Sequence, residues 1–238
     1  MNTSRTLVRK LAVVVAPFCV LGCVSSGMES NPDSVSKQEQ AALTPDAVLA
    51  DLKAGNARFV ADELTPHDWL GQAAITAKGQ YPKAVFLGCI DSRVPVEVVF
   101  DQAIGDIFVA RVAGNFVNED ILGSMEFGTA VAGSKLVVVL GHTSCGAVKG
   151  AIDGAELGHL TGLLAKIHPA IETAVQPDED VSSANASLVS RVTDENVRHA
   201  VREIVGQSSV MREAVERGDL KVVGAVYDIA TGKVRWLD

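Results

Sequence analysis

The chain has 238 residues, 47% of them hydrophobic, which is enough for one domain with a sizeable core plus a leader or tail. A formal net charge of −8 and an aromatic content of 5% exclude the basic, aromatic-lined surfaces that bind nucleic acid.

Arg5, Arg9 and Lys10 make a basic start, and the segment from Leu11 to Cys23 (LAVVVAPFCVLGC) is almost wholly apolar. This run is too short to span a bilayer comfortably. Residues 1–22 therefore read as a signal peptide. Pro17 inside the run speaks against a buried core helix. Val20-Leu21-Gly22-Cys23 resembles a bacterial lipobox, with lipid on Cys23 and the leader cut before it. Leu21 is not the usual small residue there, and ordinary cleavage near Ser25 to Gly27 is the rival. The expected location is the bacterial cell envelope, either periplasmic or membrane-anchored as a lipoprotein through Cys23. Residues 23–40 are Ser-rich and polar and read as a flexible tether. The folded domain is expected over 41–238.

Thr44 reads as an N-cap with Pro45 at N1, opening a helix to about Val60. Trp69 to Lys78 reads as a second, weaker helix, followed by a turn at Gly79-Gln80-Tyr81-Pro82. Ala84 to Ile90 is a continuous apolar run, the mark of a strand buried on both faces. A short helix starts at Pro95, and Ile107 to Arg111 reads as a second strand. The spacing predicts a helix over 120–132, a buried strand over 134–140, a helix over 157–173 and one long helix over 188–217. Leu220 to Tyr227 is a fourth apolar strand, and Lys233 to Leu237 an edge strand. Strands alternating with helices imply an α/β fold, a mostly parallel central sheet flanked by helices. Functional groups in such sheets gather beyond the carboxyl ends of the strands.

The four cysteines are Cys19, Cys23, Cys89 and Cys145, and only the last two fall inside the domain. A lone pair in an oxidising compartment would first suggest a disulfide. Their surroundings suggest a metal. Cys89 ends the first strand in Cys89-Ile90-Asp91-Ser92-Arg93, and His142-Thr143-Ser144-Cys145 follows the third. Two thiolates and an imidazole suit tetrahedral zinc and leave a fourth position open, as in catalytic sites. Asp91 could fill that position and shut the site. A bidentate Arg93–Asp91 pair would hold the carboxylate away.

Here the chain resembles the β-carbonic anhydrases. The match is GCIDSRVPVEVVFDQAIGDIFVARVAGN (Gly88–Asn115) followed by GHTSCGAVKGA (Gly141–Ala151). The resemblance implies that Cys89, His142 and Cys145 hold one Zn2+ per subunit, with Asp91 and Arg93 as the catalytic dyad. It implies that Gln80, Phe108, Ala113 and Gly114 line the substrate pocket. The implied reaction is reversible hydration of CO2 to bicarbonate and a proton, by attack of zinc-bound hydroxide on CO2. The two thiolates imply activity rising toward alkaline pH. The resemblance also implies a homodimer or tetramer. His67, His159 and His168 are candidate proton carriers by chemistry alone. Two rivals share the metal set: a related hydrolase acting on carbonyl sulfide or carbon disulfide, and a zinc-stabilised protein without catalysis.

Overall fold

The computed structural model describes residues 34–237. The segment read as a signal peptide, Cys23 and most of the segment read as a tether lie outside the described residues. Helix α1 (Lys37–Ala42) opens on a capping box: the Ser36 hydroxyl accepts from the Glu39 N–H, and the Glu39 carboxylate accepts from the Ser36 N–H. Buried Gln40 donates to the carbonyls of Pro82 and Ala132 at 2.7 and 2.8 Å. Ser34 donates to the Ile104 carbonyl at 2.6 Å. Residues 34–40, read from composition as tether, are therefore folded onto the domain. Short polar side chains here serve as caps and long-range donors, roles that composition does not distinguish from solvated coil.

Thr44 caps α2 (Pro45–Ala61) with Pro45 at its first position, as the sequence implies. Then follow α3 (Trp69–Thr76), β1 (Ala84–Gly88), α4 (Val96–Val99), β2 (Ile107–Arg111) and α5 (Glu119–Glu126). α5 runs on into a π-helical turn, Phe127–Val131. Next come β3 (Leu136–His142), α6 (Gly146–Ile152) and α7 (Gly158–Leu164), a 3-10 turn (Ala165–Ile167), and α8 (His168–Ala174). The chain closes with α9 (Ala186–Gln207), α10 (Ser209–Glu216), β4 (Lys221–Tyr227) and β5 (Val234–Leu237).

Two expected helices are broken. The stretch over 157–173 comes in three pieces, because Pro169 lacks the N–H that a continuous ladder needs. The stretch over 188–217 breaks at Ser208, whose backbone is extended (φ −96, ψ 109). The Ser208 hydroxyl caps the Met211 N–H and donates to Glu126 on α5 at 2.6 Å. Such a cap is worth about 1 kcal/mol, enough to favour a clean break over a continuous helix.

The sheet order is β2-β1-β3-β4-β5, parallel throughout except that β5 runs antiparallel to β4. Every residue of β1 and β3 is buried. One face is covered by α2 and α4 through Val48, Leu52, Val96 and Phe100. The other is covered by α5, α9 and α10 through Leu122, Val197, Ile204 and Met211. α9 lies very close to the strands: a Cβ at Gly141 or Gly224 would sit 2.6 or 2.7 Å from Val197 methyls. Strand order reverses between β1 and β3, which have their crossovers on opposite sides. A crevice at such a switch point, beyond the carboxyl ends of the strands, is where parallel sheets place their chemistry.

Candidate metal centre

Cys89 is the first residue beyond β1, and His142 is the last of β3. The turn after β3 passes through Ser144 at φ 57 and brings Cys145 to the N-cap of α6. One ligand atom each from Cys89, His142 and Cys145 fall within 4.8 Å of one another. All three residues are buried, at 4%, 0% and 1% exposure. His142 Nδ1 lies 3.0 Å from the Thr143 carbonyl, an acceptor, so it carries the proton. Nε2 is left with a lone pair, and it is buried without a hydrogen-bond partner. An orphaned nitrogen beside two buried sulfurs fits a soft, tetrahedral cation such as zinc.

The two sulfurs are 3.9 Å apart. The bond from Cys145 holds the Cys89 thiol far below its ordinary range, at about 4, against the effect of burial. The backbone N–H groups of Gly114 and Asp91 add to this. The same bond and burial push Cys145 up, while the amides of Val148 and Ala147 oppose. The lowered Cys89 thiol favours the thiolate, the form that binds metal.

Asp91 stands at the rim. Arg93 grips both carboxylate oxygens, Nε to Oδ1 at 2.9 Å and Nη2 to Oδ2 at 2.7 Å, and its backbone N–H adds a third bond at 3.0 Å. This bidentate grip holds the Asp91 carboxyl well below the usual carboxylate range. Oδ2 lies 3.8 Å from His142 Nε2, so the carboxylate faces the donor set without leaving Arg93. The expected pairing is present. It is made in a turn and not on the strand: β1 stops at Gly88, and residues 91–94 form a turn, with the Val94 N–H bonded to the Asp91 carbonyl.

The carbonic anhydrase family model matches residues 84–234, which include β1 to β4 and all five of these side chains. The chain belongs to the β-carbonic anhydrases. A carbonic anhydrase of Mycolicibacterium smegmatis is 36% identical over 196 residues, covering 80% of this chain and 92% of that protein. Carbonic anhydrase 2 of Mycobacterium tuberculosis strain H37Rv is 38% identical over 193 residues, covering 79% and 91%. The β-carbonic anhydrase CafA of Aspergillus fumigatus superposes with a TM-score of 0.65 at 28% identity, over 81% of this chain and 90% of that one.

The residues expected to line the substrate pocket of a β-carbonic anhydrase are distributed unevenly. Gly114 is at the centre: its N–H points to Cys89 Sγ at 3.4 Å. Ala113 precedes it and is half-buried. Gln80 and Phe108 are not brought to the metal centre within one chain. Gln80 is exposed in the loop entering β1, at the opposite end of that strand from Cys89. Phe108 is paired in register with Val85, early in the sheet, and its ring lies tilted against Phe127, centroids 6.1 Å apart. Among the histidines, His67 is committed to Gln72 at 3.0 Å and Asp101 at 3.5 Å, whereas His159 and His168 are exposed.

The structure adds residues that the sequence did not announce. Arg111, at the end of β2, donates from Nε to the Cys89 carbonyl at 2.8 Å and from Nη2 to the Asp91 carbonyl at 2.6 Å. It braces the loop that carries one metal donor and the rim carboxylate. Thr143 is held by β4 and the turn beyond it, its N–H bonded to the Tyr227 carbonyl at 2.9 Å and its hydroxyl accepting from Ile229 at 3.2 Å. Both act on, or through, backbone atoms, which leave no side-chain motif to find.

Proposed function

We propose that this carbonic anhydrase is zinc-dependent and hydrates CO2 reversibly to bicarbonate and a proton, with Cys89, His142 and Cys145 as the protein ligands. The observation that carries this is the buried cluster itself: one ligand atom each of Cys89, His142 and Cys145 lie within 4.8 Å of one another, and His142 Nε2 is buried without a hydrogen-bond partner. Zinc, when bound, is a Lewis acid that makes a water molecule acidic near neutral pH. The chain's own residues do the rest. Arg93 keeps Asp91 ionised and occupied, so the carboxylate accepts a hydrogen bond from the nucleophile and orients it without displacing it. Arg111 fixes the loop on which that carboxylate sits. Were Asp91 released by Arg93, its carboxylate would be a further oxygen donor able to hold the metal.

The working unit we propose is a homodimer or tetramer. The outer edge of β2 is unpaired among the described residues. Beside it runs a groove of 640 Å³ lined by Val85, Phe108, Val109 and Phe127, with Phe127 about half exposed. A β-carbonic anhydrase of Sordaria macrospora that shares 25% identity and superposes at a TM-score of 0.62 is described as tetrameric. The basic and apolar start of the chain supports export to the cell envelope, with Cys23 as the lipid-bearing residue if the leader is cut there. Among the described residues, no helix is long and apolar enough to cross a membrane.

Metal analysis tests the reading. The purified protein is expected to hold one zinc per chain, and Cys145→Ala to hold almost none under the same dialysis. A Cys145→Ala protein with full zinc and full activity would remove these residues from the metal.

A further inference from the structure

Asn196 occupies the inward stripe of α9, among Val189, Val192, Val197 and Ala200, and is 2% exposed. A polar amide in that company is costly unless its bonds are made. Its Nδ2 donates to the Gly114 carbonyl at 2.8 Å, across 82 positions of sequence. The N–H on the other side of the same peptide unit, that of Asn115, bonds to the Val112 carbonyl at 2.9 Å. The peptide following Gly114 is therefore held at both ends. Gly114 itself sits at φ +81, and a Cβ there would lie 2.7 Å from Ile167 Cδ1. With its following peptide fixed and its φ set, Gly114 has its own N–H aimed at Cys89 Sγ at 3.4 Å.

We propose that Asn196 is a positioning residue for the metal centre: acting through Gly114, it keeps one N–H on the Cys89 sulfur and thereby reduces the charge that sulfur gives the metal. The inference rests on the zinc reading above. A hydrogen bond to a thiolate withdraws electron density from it, and outer partners of this kind orient ligands and tune the bound ion. Two thiolates on one ion are strongly donating, so a bond to one of them shifts the balance of the whole set.

Cobalt(II) in place of zinc makes the effect visible, because cobalt–thiolate charge-transfer absorption moves with the donor strength of the sulfur. Asn196→Ser leaves a neutral side chain too short to reach the Gly114 carbonyl. Asn196→Leu keeps the volume and removes the donor, and serves should the serine variant not fold. Melting temperature and circular dichroism of the metal-free proteins establish which variant is folded. The folded variant is expected to bind cobalt with its charge-transfer band moved to longer wavelength, as a sulfur freed of a hydrogen bond donates more strongly. A folded variant that binds cobalt with the wild-type band would overturn the role of Asn196 and leave the zinc reading intact. Failure of the wild-type protein itself to bind cobalt or zinc would overturn both.

Discussion

Arg111 is exposed, yet both its bonds run to backbone carbonyls of the loop that carries Cys89 and Asp91. Arg111→Ala is expected to lower kcat/KM by tenfold to about a hundredfold, the scale of a misplaced catalytic group, with little change in melting temperature. A wild-type kcat/KM would show that the loop holds its shape unaided. The residues that were legible beforehand share one property: their side chains do the chemistry. Cys89, Asp91 and Arg93 alternate within five positions, and His142 and Cys145 sit one turn apart, so donor type and spacing spoke together. Arg111, Thr143 and Asn196 act on main-chain atoms of distant residues, and any polar residue at those positions would read the same in sequence. Gln80 and Phe108 were named from resemblance alone, and a single chain keeps both away from the donors.

At the scale of elements, buried strands were the most legible. Runs such as Ala84–Gly88 and Leu136–Leu140 need apolar side chains on both faces and cannot be much else. Helix breaks were less so: Ser208 caps the Met211 N–H locally, but its tie to Glu126 lies 82 positions away and leaves no local signal. α6 was missed outright: GAVKGAI carries two glycines, and its start is fixed by the Cys145 turn rather than by propensity. Asp101 offers a test of how elements are tied together. It follows α4 at φ 51, and its carboxylate accepts from Arg58 on α2 and from the Thr65 N–H and hydroxyl. Burial pushes this carboxyl up, but Arg58 and Thr65 outweigh it and bring it below the ordinary value. A carboxyl lowered in the folded state stabilises above its unfolded value, about 3.9, and that contribution fades as pH falls through the folded value. Asp101→Asn is expected to lose about 1–3 kcal/mol of stability at neutral pH. Its deficit should shrink as pH falls below about 4. Urea unfolding at several pH values checks this. A deficit that stays constant down to pH 2 would mean the charge of Asp101 carries none of it.

For the whole molecule, parallel alternation was readable, but strand order was not. The order is set by which face each crossover takes, and the reversal between β1 and β3 is what gathers Cys89, His142 and Cys145. The cores on either side of the sheet contain none of these donors. Only the third apolar cluster, under α6, α8 and the start of α9, includes the two cysteines. Metal removal by chelator is therefore expected to leave far-ultraviolet circular dichroism nearly unchanged and to abolish activity. Cooperative loss of helix signal on chelation would instead make the metal a structural staple.

The most direct measurement is stopped-flow CO2 hydration by the zinc-loaded protein beside Asp91→Ala, with zinc content determined for both. The account predicts fast turnover in the wild-type protein and at least a hundredfold loss, on the order expected for removal of a transition-state contact, in Asp91→Ala with zinc retained. Zinc-loaded wild-type protein that hydrates CO2 no faster than buffer between about pH 7 and 9, a range in which a zinc-activated water should ionise, would contradict it.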